Sequence, residues 1–369
     1  MNDSVARIGF DGRALTSPAA GMRRYAWELF GALAATEIDP GFRIVAVGPA
    51  PAAPLPFGVE RAPAGRSLPT NVGWMLTGLP RAARRAQLDL FHAPSYTAPV
   101  RGPRPVVLTI HDVSYERHPE WYPYKRDPLR RAFYRRSARG ADVVITDSEF
   151  SKREIVEAYG LDPDRIDVVP LAAGRVFEPG PPLPLPPGVS VPYVLHVGDL
   201  HARRNLPMVA RAVAELRSMS AACRRLTLVL VGTDRGTGDA LRALAHGQSN
   251  APVFLDNLPD STLLALYRSA AALVYPSRYE GFGLPLLEAM ASGTPVVAAS
   301  AASIPEVVGG AAVLLDPDDD AGWRDAIRRL LEDEAFSQTL REAGSARAAT
   351  FSWKRTAEET ARIYRELLK

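Results

Sequence analysis

The chain has 369 residues, of which 47% are hydrophobic and 23% charged, the composition of a globular protein rather than a disordered or fibrous one. That length exceeds what one ordinary core fills and predicts two domains. A net charge of +3 argues against a general nucleic-acid binder, and the single cysteine, Cys223, excludes an intramolecular disulfide or a cysteine-based metal cluster.

The start of the chain lacks a signal peptide's apolar core, and no run of 18 apolar residues exists. The expectation is a cytoplasmic protein, at most one resting on a membrane face. Val5–Phe10 reads as a first strand, Asp11–Gly21 as a loop, and the next segment as a helix with Met22, Tyr25, Ala26, Leu29 and Leu33 at helical spacing. Strand, loop and helix in that order open a doubly wound domain. The glycine pattern is not GxGxxG, which argues against an NAD-dependent dehydrogenase. Arg43–Val47 predicts a second strand, Ala50–Pro69 a proline-rich connection, and Asn71–Arg85 a helix weakened by Gly73 and Gly78.

Leu88–His92 and Val106–Ile110 read as strands of a parallel sheet. His111 and Asp112 follow the second of them. Ligand and catalytic groups in such sheets gather beyond the carboxyl ends of strands, which makes His111 a candidate against the plain alternative of a structural histidine. His92 and His118 are second choices better suited to organising loops. Tyr124–Gly140 carries Lys125, Arg126, Arg130, Arg131, Arg135, Arg136 and Arg139. Helical from Pro128, it is either a solvated face or a surface for anionic headgroups or a diphosphate-linked lipid, with Trp121, Tyr122 and Tyr124 nearby. Ala141–Thr146 is another strand, and Ser148 caps a helix over Phe150–Tyr159. Ile166–Pro170 closes the first domain, expected at 1–178, and Pro179–Pro192 is a stiff linker, 179–192.

The second domain is expected at 193–350, with 351–369 as a terminal helix. It opens with the strand Tyr193–Val197, then Gly198–Asn205 and a helix, Leu206–Met219. Arg203 and Arg204 stand at that helix N-terminus, where guanidinium groups and the positive helix end suit a diphosphate. Leu226–Val231 ends at Gly232, and Val253–Leu255 leads into a loop holding Leu258 ahead of a helix over Ser261–Ser269. Then come a strand over Ala270–Tyr275, a tight loop with Gly281, Phe282 and Gly283, a helix over Pro285–Ala291 and a strand over Val296–Ala299. Free amides at that helix start suit anionic or hydroxyl-rich ligands. Glu280 and Glu288, eight positions apart, frame the loop. Carboxylates accept paired hydrogen bonds from vicinal hydroxyls, although two solvated charges at a helix start would read the same. Asp316–Asp320 contains a DxD string that here precedes a helix, Ala321–Leu331, and caps it, so no metal is predicted. Helices over Ala335–Ala349 and Trp353–Lys369 end the chain.

The stretch YPSRYEGFGLPLLEAMASGTPVVAA, Tyr275–Ala299, resembles the Glu-x7-Glu signature of retaining family 4 glycosyltransferases of GT-B fold. That α/β fold has two Rossmann-like doubly wound domains facing each other across a cleft. The likeness spans nearly the full length. Gly21-Met22-Arg23-Arg24-Tyr25 is similar to the family's Gly-Ile-Gly-Arg-Tyr loop, with Arg23 in place of a glycine. His111–Pro123 is similar to its His-Asp segment, and Ser148–Ser151 to its Ser-Glu-Phe-Ser. Arg204 stands where the family's phosphate-binding Lys would be, and Asp256–Asp260 resembles the loop that packs on the nucleotide base. Ser303–Glu306 and Ala312–Leu315 resemble its closing strand.

The resemblance implies a retaining transfer of a hexose from a nucleotide sugar to a hydroxyl of a saccharide or lipid-linked saccharide, with neither cofactor nor metal. It makes His111, Glu280 and Arg204 catalytic. It gives donor binding to Gly198, Arg203, Arg204, Gly232, Leu258, Glu280, Gly281, Phe282, Gly283, Leu284 and Glu288. Gly21, Arg24, Tyr25 and Asp112 fall in the acceptor or cleft loops, and the terminal helix returns to the first domain. Likeness to bacterial mannosyltransferases of surface polysaccharides favours GDP-mannose, with UDP-hexoses open. A partner in reserve is an anionic membrane face, through Lys125–Arg139. A sugar-nucleotide epimerase and a non-catalytic sugar-binding homologue are the alternatives.

Overall fold

Short valine- and leucine-rich runs alternate with helices along the whole chain, and such runs bury both faces in parallel sheets covered by helices. The computed structural model describes residues 5–35, 38–48, 54–63, 73–99, 102–122, 128–244 and 250–369. Two units result: Met1–Leu171 with Ser352–Lys369, and Ala172–Phe351.

The first unit holds β1 (Ala6–Asp11), β2 (Phe42–Gly48), β3 (Glu60–Pro63), β4 (Leu90–Ala93), β5 (Val106–Thr109), β6 (Val143–Thr146) and β7 (Ile166–Val168). Their order in the sheet is β3-β2-β1-β4-β5-β6-β7, and every pairing is parallel. The second holds β8 (Tyr193–Val197), β9 (Thr227–Val231), β10 (Val253–Leu255), β11 (Ala272–Tyr275), β12 (Val296–Ala299) and β13 (Val313–Leu315). These run β10-β9-β8-β11-β12-β13, again all parallel. The strand order reverses between β1 and β4 in one sheet and between β8 and β11 in the other. Chains leaving adjacent strands there diverge to opposite faces and open a crevice at the carboxyl ends.

Several elements differ from expectation. The predicted helix over Asn71–Arg85 begins, within the described residues, as a π-helical stretch, Trp74–Gly78, followed by an α-helix, Leu79–Arg85. Gly73 and Gly78 allow that widened turn at the cost of regular helix. Ser303–Glu306 is not part of a strand: Ile304–Val308 is a short helix, and the strand is β13 alone. The proline-rich 179–192 stretch lies inside the second unit, whose boundary falls at Ala172. Arg268 fastens it, donating to the carbonyls of Glu178 at 3.0 Å, Pro179 at 3.4 Å and Pro181 at 3.4 Å. Half of Ala50–Pro69, together with Asn71, Pro123, Tyr124, Lys125 and Arg126, lies outside the described residues, and in the other half Glu60–Pro63 is the edge strand β3 rather than connection.

The terminal helix, Trp353–Leu367, belongs to the first unit. Trp353, Ala357, Ala361 and Tyr364 recur at helical spacing and are all buried, the stripe expected of a helix seated on a core. Ser352 caps its start by accepting from the Arg355 amide at 3.1 Å. The Tyr364 hydroxyl meets Nδ1 of the buried His92 at 2.5 Å, and Arg362 and Arg365 reach Asp167 at 3.1 Å and Asp39 at 2.6 Å. The buried pair counts most, since exposed ion pairs contribute little. Tyr364→Phe strands a buried ring nitrogen, so denaturant unfolding of the first unit should show a loss of about 1–3 kcal/mol.

Candidate active site

In the second unit the reversal point lies between β8 and β11. β8 runs into Gly198 and a 3-10 turn, Ala202–Arg204, while β11 runs into the loop that ends at Gly283. Arg204 is 7% exposed. Its Nη1 meets the Glu280 carboxylate, the Tyr275 hydroxyl and, at 3.2 Å, Ser277 Oγ, and its guanidinium lies 5.0 Å from the Tyr275 ring centroid. Arg203 Nη1 lies 2.9 Å from the other Glu280 oxygen and donates to the Tyr279 carbonyl at 2.5 Å. One buried carboxylate therefore faces two guanidinium groups, and a positive charge is left over. Arg204 Nε is buried with no acceptor among the described residues.

The groups behind this cluster add shape without charge. His196, stacked on Tyr275 at 5.7 Å, has its imidazole pushed down to about 3 by burial and then by Arg204, so it stays neutral. Burial pushes the Tyr275 phenol up to about 12. Ser303 Oγ donates to the carbonyls of Glu280 at 2.9 Å and Phe282 at 3.2 Å, which fixes the loop between the two glutamates. The following helix, Leu284–Ala291, starts one residue earlier than expected. Gly283 precedes it at φ +102°, where a Cβ would come within 2.8 Å of Leu286 Cδ1. Glu288 is 4% exposed and accepts from the Tyr267 hydroxyl at 3.0 Å, while Glu280 is 5% exposed. Neither is a solvated charge at a helix start. Phe282, Gly281 and Gly283 are buried, Leu284 is half-buried, and Leu258 is half-buried in the turn before the helix Asp260–Ser269.

Gly232 and Gly198 act through the backbone. At Gly232, φ is +148° and a Cβ would stand 2.2 Å from the Gly198 carbonyl oxygen; at Gly198 it would stand 3.0 Å from Arg204 Nη2. These two glycines let the ends of β8 and β9 close up behind the arginine. The aspartates of Asp316–Asp320 are engaged elsewhere: Asp319 caps the helix Asp320–Glu332 and Asp318 pairs with Arg278. Asp199 pairs with Arg235 at 3.1 Å.

In the first unit, His111 leaves β5 and Asp147 leaves the neighbouring β6. Nδ1 of His111 lies 2.7 Å from Asp147 Oδ2. Burial opposes the charged ring, but the charge and hydrogen bond of Asp147, with Asp112 behind, outweigh it and raise the His111 pKa. Asp112 Oδ1 accepts from the amide and hydroxyl of Ser114 at 2.9 and 2.8 Å, a turn-closing role. Gly21 and Arg24 lie in the first turns of the helix Ala20–Ala34 rather than in a loop. Tyr25, expected on the helix and also among the acceptor or cleft residues, is a core residue 2% exposed: its hydroxyl meets Thr109 Oγ1 at 2.7 Å and its ring stands edge-on to His111 at 4.7 Å. His92 is likewise a core group, pushed down to about 3 by burial and then by His111. His118 pairs with Glu120 at 3.0 Å and stacks on Trp121, consistent with loop organisation. On the helix Pro128–Gly140, Arg131 and Arg135 converge on the nearly buried Glu116, and Arg139 donates to the Tyr159 carbonyl.

Asp147, Tyr275, Ser277, Ser303 and His196 were not singled out by sequence. Asp147 was findable, because it follows a strand end in the same way as His111. The others are supports whose partners are remote in the chain.

Two Rossmann-like units, with a cationic, glycine-shaped crevice in the second, are the architecture of a GT-B glycosyltransferase. The family profiles Glycosyltransferase Family 4 and Glycosyl transferases group 1 match residues 19–172 and 191–333. An O-antigen chain mannosyltransferase B of Escherichia coli is 33% identical over 286 residues, covering 75% of this chain and 74% of that one. A D-inositol 3-phosphate glycosyltransferase of Acidothermus cellulolyticus is 35% identical over 62% of this chain, which spans 54% of that relative. Sucrose-phosphate synthase of Thermosynechococcus elongatus superposes with a TM-score of 0.75 at 22% identity, over 98% of this chain and 99% of its own. The Anabaena protein HepE, solved with UDP and glucose, does so with 0.70 at 20%, over 98% and 100%. This chain belongs to glycosyltransferase family 4, and it is a glycosyltransferase of GT-B fold.

Gly232→Ala should lower stability by at least ~1 kcal/mol through strain at that φ and the clash with Gly198.

Proposed function

We propose that the enzyme transfers a hexose, with mannose from GDP-mannose favoured, to a hydroxyl of a saccharide or lipid-linked saccharide with retention at the anomeric carbon. The observation that carries this reading is the buried Arg203–Arg204–Glu280 cluster, with its surplus positive charge and the unpartnered Arg204 Nε. A diphosphate would supply the missing acceptor and balance the charge, and guanidinium groups suit that geometry. The O-antigen mannosyltransferase relative supports the mannosyl donor. Glu280 and the Phe282–Leu284 backbone are assigned to the donor sugar, Glu288 to the ribose and His111 to catalysis.

The reaction breaks the bond between the anomeric carbon and the diphosphate oxygen and forms one from that carbon to the acceptor oxygen on the same face. The acceptor's proton passes to the departing phosphate oxygen. Arg203 and Arg204 stabilise the charge that builds there, and no metal is required.

Arg204→Ala should cut turnover roughly 10²-fold or more, and a near-normal rate would remove the residue from that role. Thermal shift with GDP-, UDP- and ADP-sugars tests the donor: a cognate one at 100 times its Kd adds about 2.7 kcal/mol. Glu288→Gln should weaken nucleotide affinity, and EDTA should leave turnover intact. A preparation that epimerises the donor in the absence of acceptor would replace this reading.

We assign the helix Pro128–Gly140, with Leu129 80% exposed among its arginines, to reversible contact with an anionic membrane face. No helix of the described residues is long and apolar enough to cross a membrane. Flotation with phosphatidylglycerol vesicles should retain the protein at low salt and lose it at high salt. Equal recovery on phosphatidylcholine would remove the electrostatic basis.

A further inference from the structure

β5 and β6 lie side by side in parallel register, with Thr109 opposite Ile145. Their exits therefore set His111 and Asp147 next to one another although 36 residues separate them. Both backbones are pinned. The Ile110 amide donates to the Ile145 carbonyl at 2.9 Å, Thr146 Oγ1 to the Ile110 carbonyl at 2.7 Å, and Ser151 Oγ to the His111 carbonyl at 3.1 Å. The His111 ring is held on its face as well, by Tyr25 at 4.7 Å and an interplanar angle of 85°. Tyr25 is itself anchored through Thr109 to His92. Such over-determination leaves the imidazole one orientation.

Two atoms of this pair are unsatisfied: His111 Nε2 and Asp147 Oδ1 are buried and have no hydrogen-bond partner among the described residues. The Pro94 carbonyl favours the charged ring but does not meet Nε2 with hydrogen-bond geometry. A carboxylate 2% exposed is costly to keep at a strand end. A serine or asparagine there would close the turn without that cost, so the charge calls for a reason.

Resting on the assignment of His111 to catalysis, we propose that Asp147 is a positioning residue: its carboxylate accepts the Nδ1–H of the His111 imidazolium in a charge-assisted hydrogen bond and so leaves Nε2–H as the donor to a substrate oxygen. In the imidazolium both ring nitrogens carry a proton; with Nδ1–H committed to the carboxylate, Nε2–H faces away from Asp147 and is the remaining donor. The charged groups around the ring are Asp147 and Asp112, while His92, pushed down to about 3, is neutral. The raised His111 value agrees in sign. The carboxylate stabilises the imidazolium, which persists below the raised pKa and is lost as pH climbs through it.

Asp147→Asn keeps the shape and removes the charge. In ligand-free protein, the His111 titration followed by ring NMR should move to lower pH than in the parent. The alkaline limb of kcat/KM should move down with it. kcat should fall at least roughly tenfold while KM for the nucleotide sugar changes little. An unmoved titration overturns the proposal, and so does a moved titration with the parent's rate profile. Should the Asn variant not fold, the parent decides: a His111 ring titrating below the ordinary value of about 6.5 is the overturning result. A parent that shows the raised titration, yet keeps full turnover in His111→Ala, sinks the substrate assignment of His111 and not the pairing.

Discussion

The constraint on which the second unit depends is electrostatic: Arg204 and Glu280 are withdrawn almost wholly from water at one spot, with the partly buried Arg203 against them. Each such ion forfeits several kcal/mol of hydration, and that loss is tolerable only with mutual attraction and full hydrogen bonding. The polar atoms of Tyr275, Ser277 and Tyr279 supply much of that bonding. The adjacency of β8 and β11 brings the two loops to the same point, and Gly198 and Gly232 remove the side chains that would hold them apart. Ser303, arriving from beyond β12, locks the loop from behind. The arrangement is preorganised, and its unspent positive charge gives it a preference for anions before any ligand arrives.

The first unit solves a different problem with mostly neutral groups. Tyr25, Thr109, His92 and Tyr364 form one buried chain of hydrogen bonds, joining the first helix, two strands and the last helix of the polypeptide. Burial drives the phenols up and His92 down, which keeps all of them uncharged. The charged exception is His111 with Asp147, set where that network meets the strand ends. With the buried groups of that network uncharged, they do little to screen the field between His111 and Asp147.

Much of the architecture was legible because its signals are local. Apolar runs of strand length, helical spacing at Met22–Leu33, the cap at Ser148 and the strand–loop–helix order around Glu280 all depend on near neighbours. The strand-end rule led to His111, and the glycine loop led to the Glu280–Glu288 frame. Boundaries moved by a residue or two where a cap or a first turn decided them, as at Leu284. Ser303–Glu306 resembles the family's closing strand, yet Ile304–Val308 is a helix with Pro305 in its first turn, where the missing N–H leaves no bond unmade.

Sequence by itself determined two parallel α/β units, the glycine loops and the residue types offered for anion and hydroxyl binding, because periodicity and turn chemistry act over a few residues. Tertiary structure alone decided that Glu280 lies against Arg203 and Arg204, that Asp147 holds His111, and that the Tyr25 hydroxyl is spent on Thr109. Those facts follow from which strands stand side by side, and strand order is set by packing among segments tens to hundreds of residues apart, as His92 and Tyr364, 272 residues apart, illustrate.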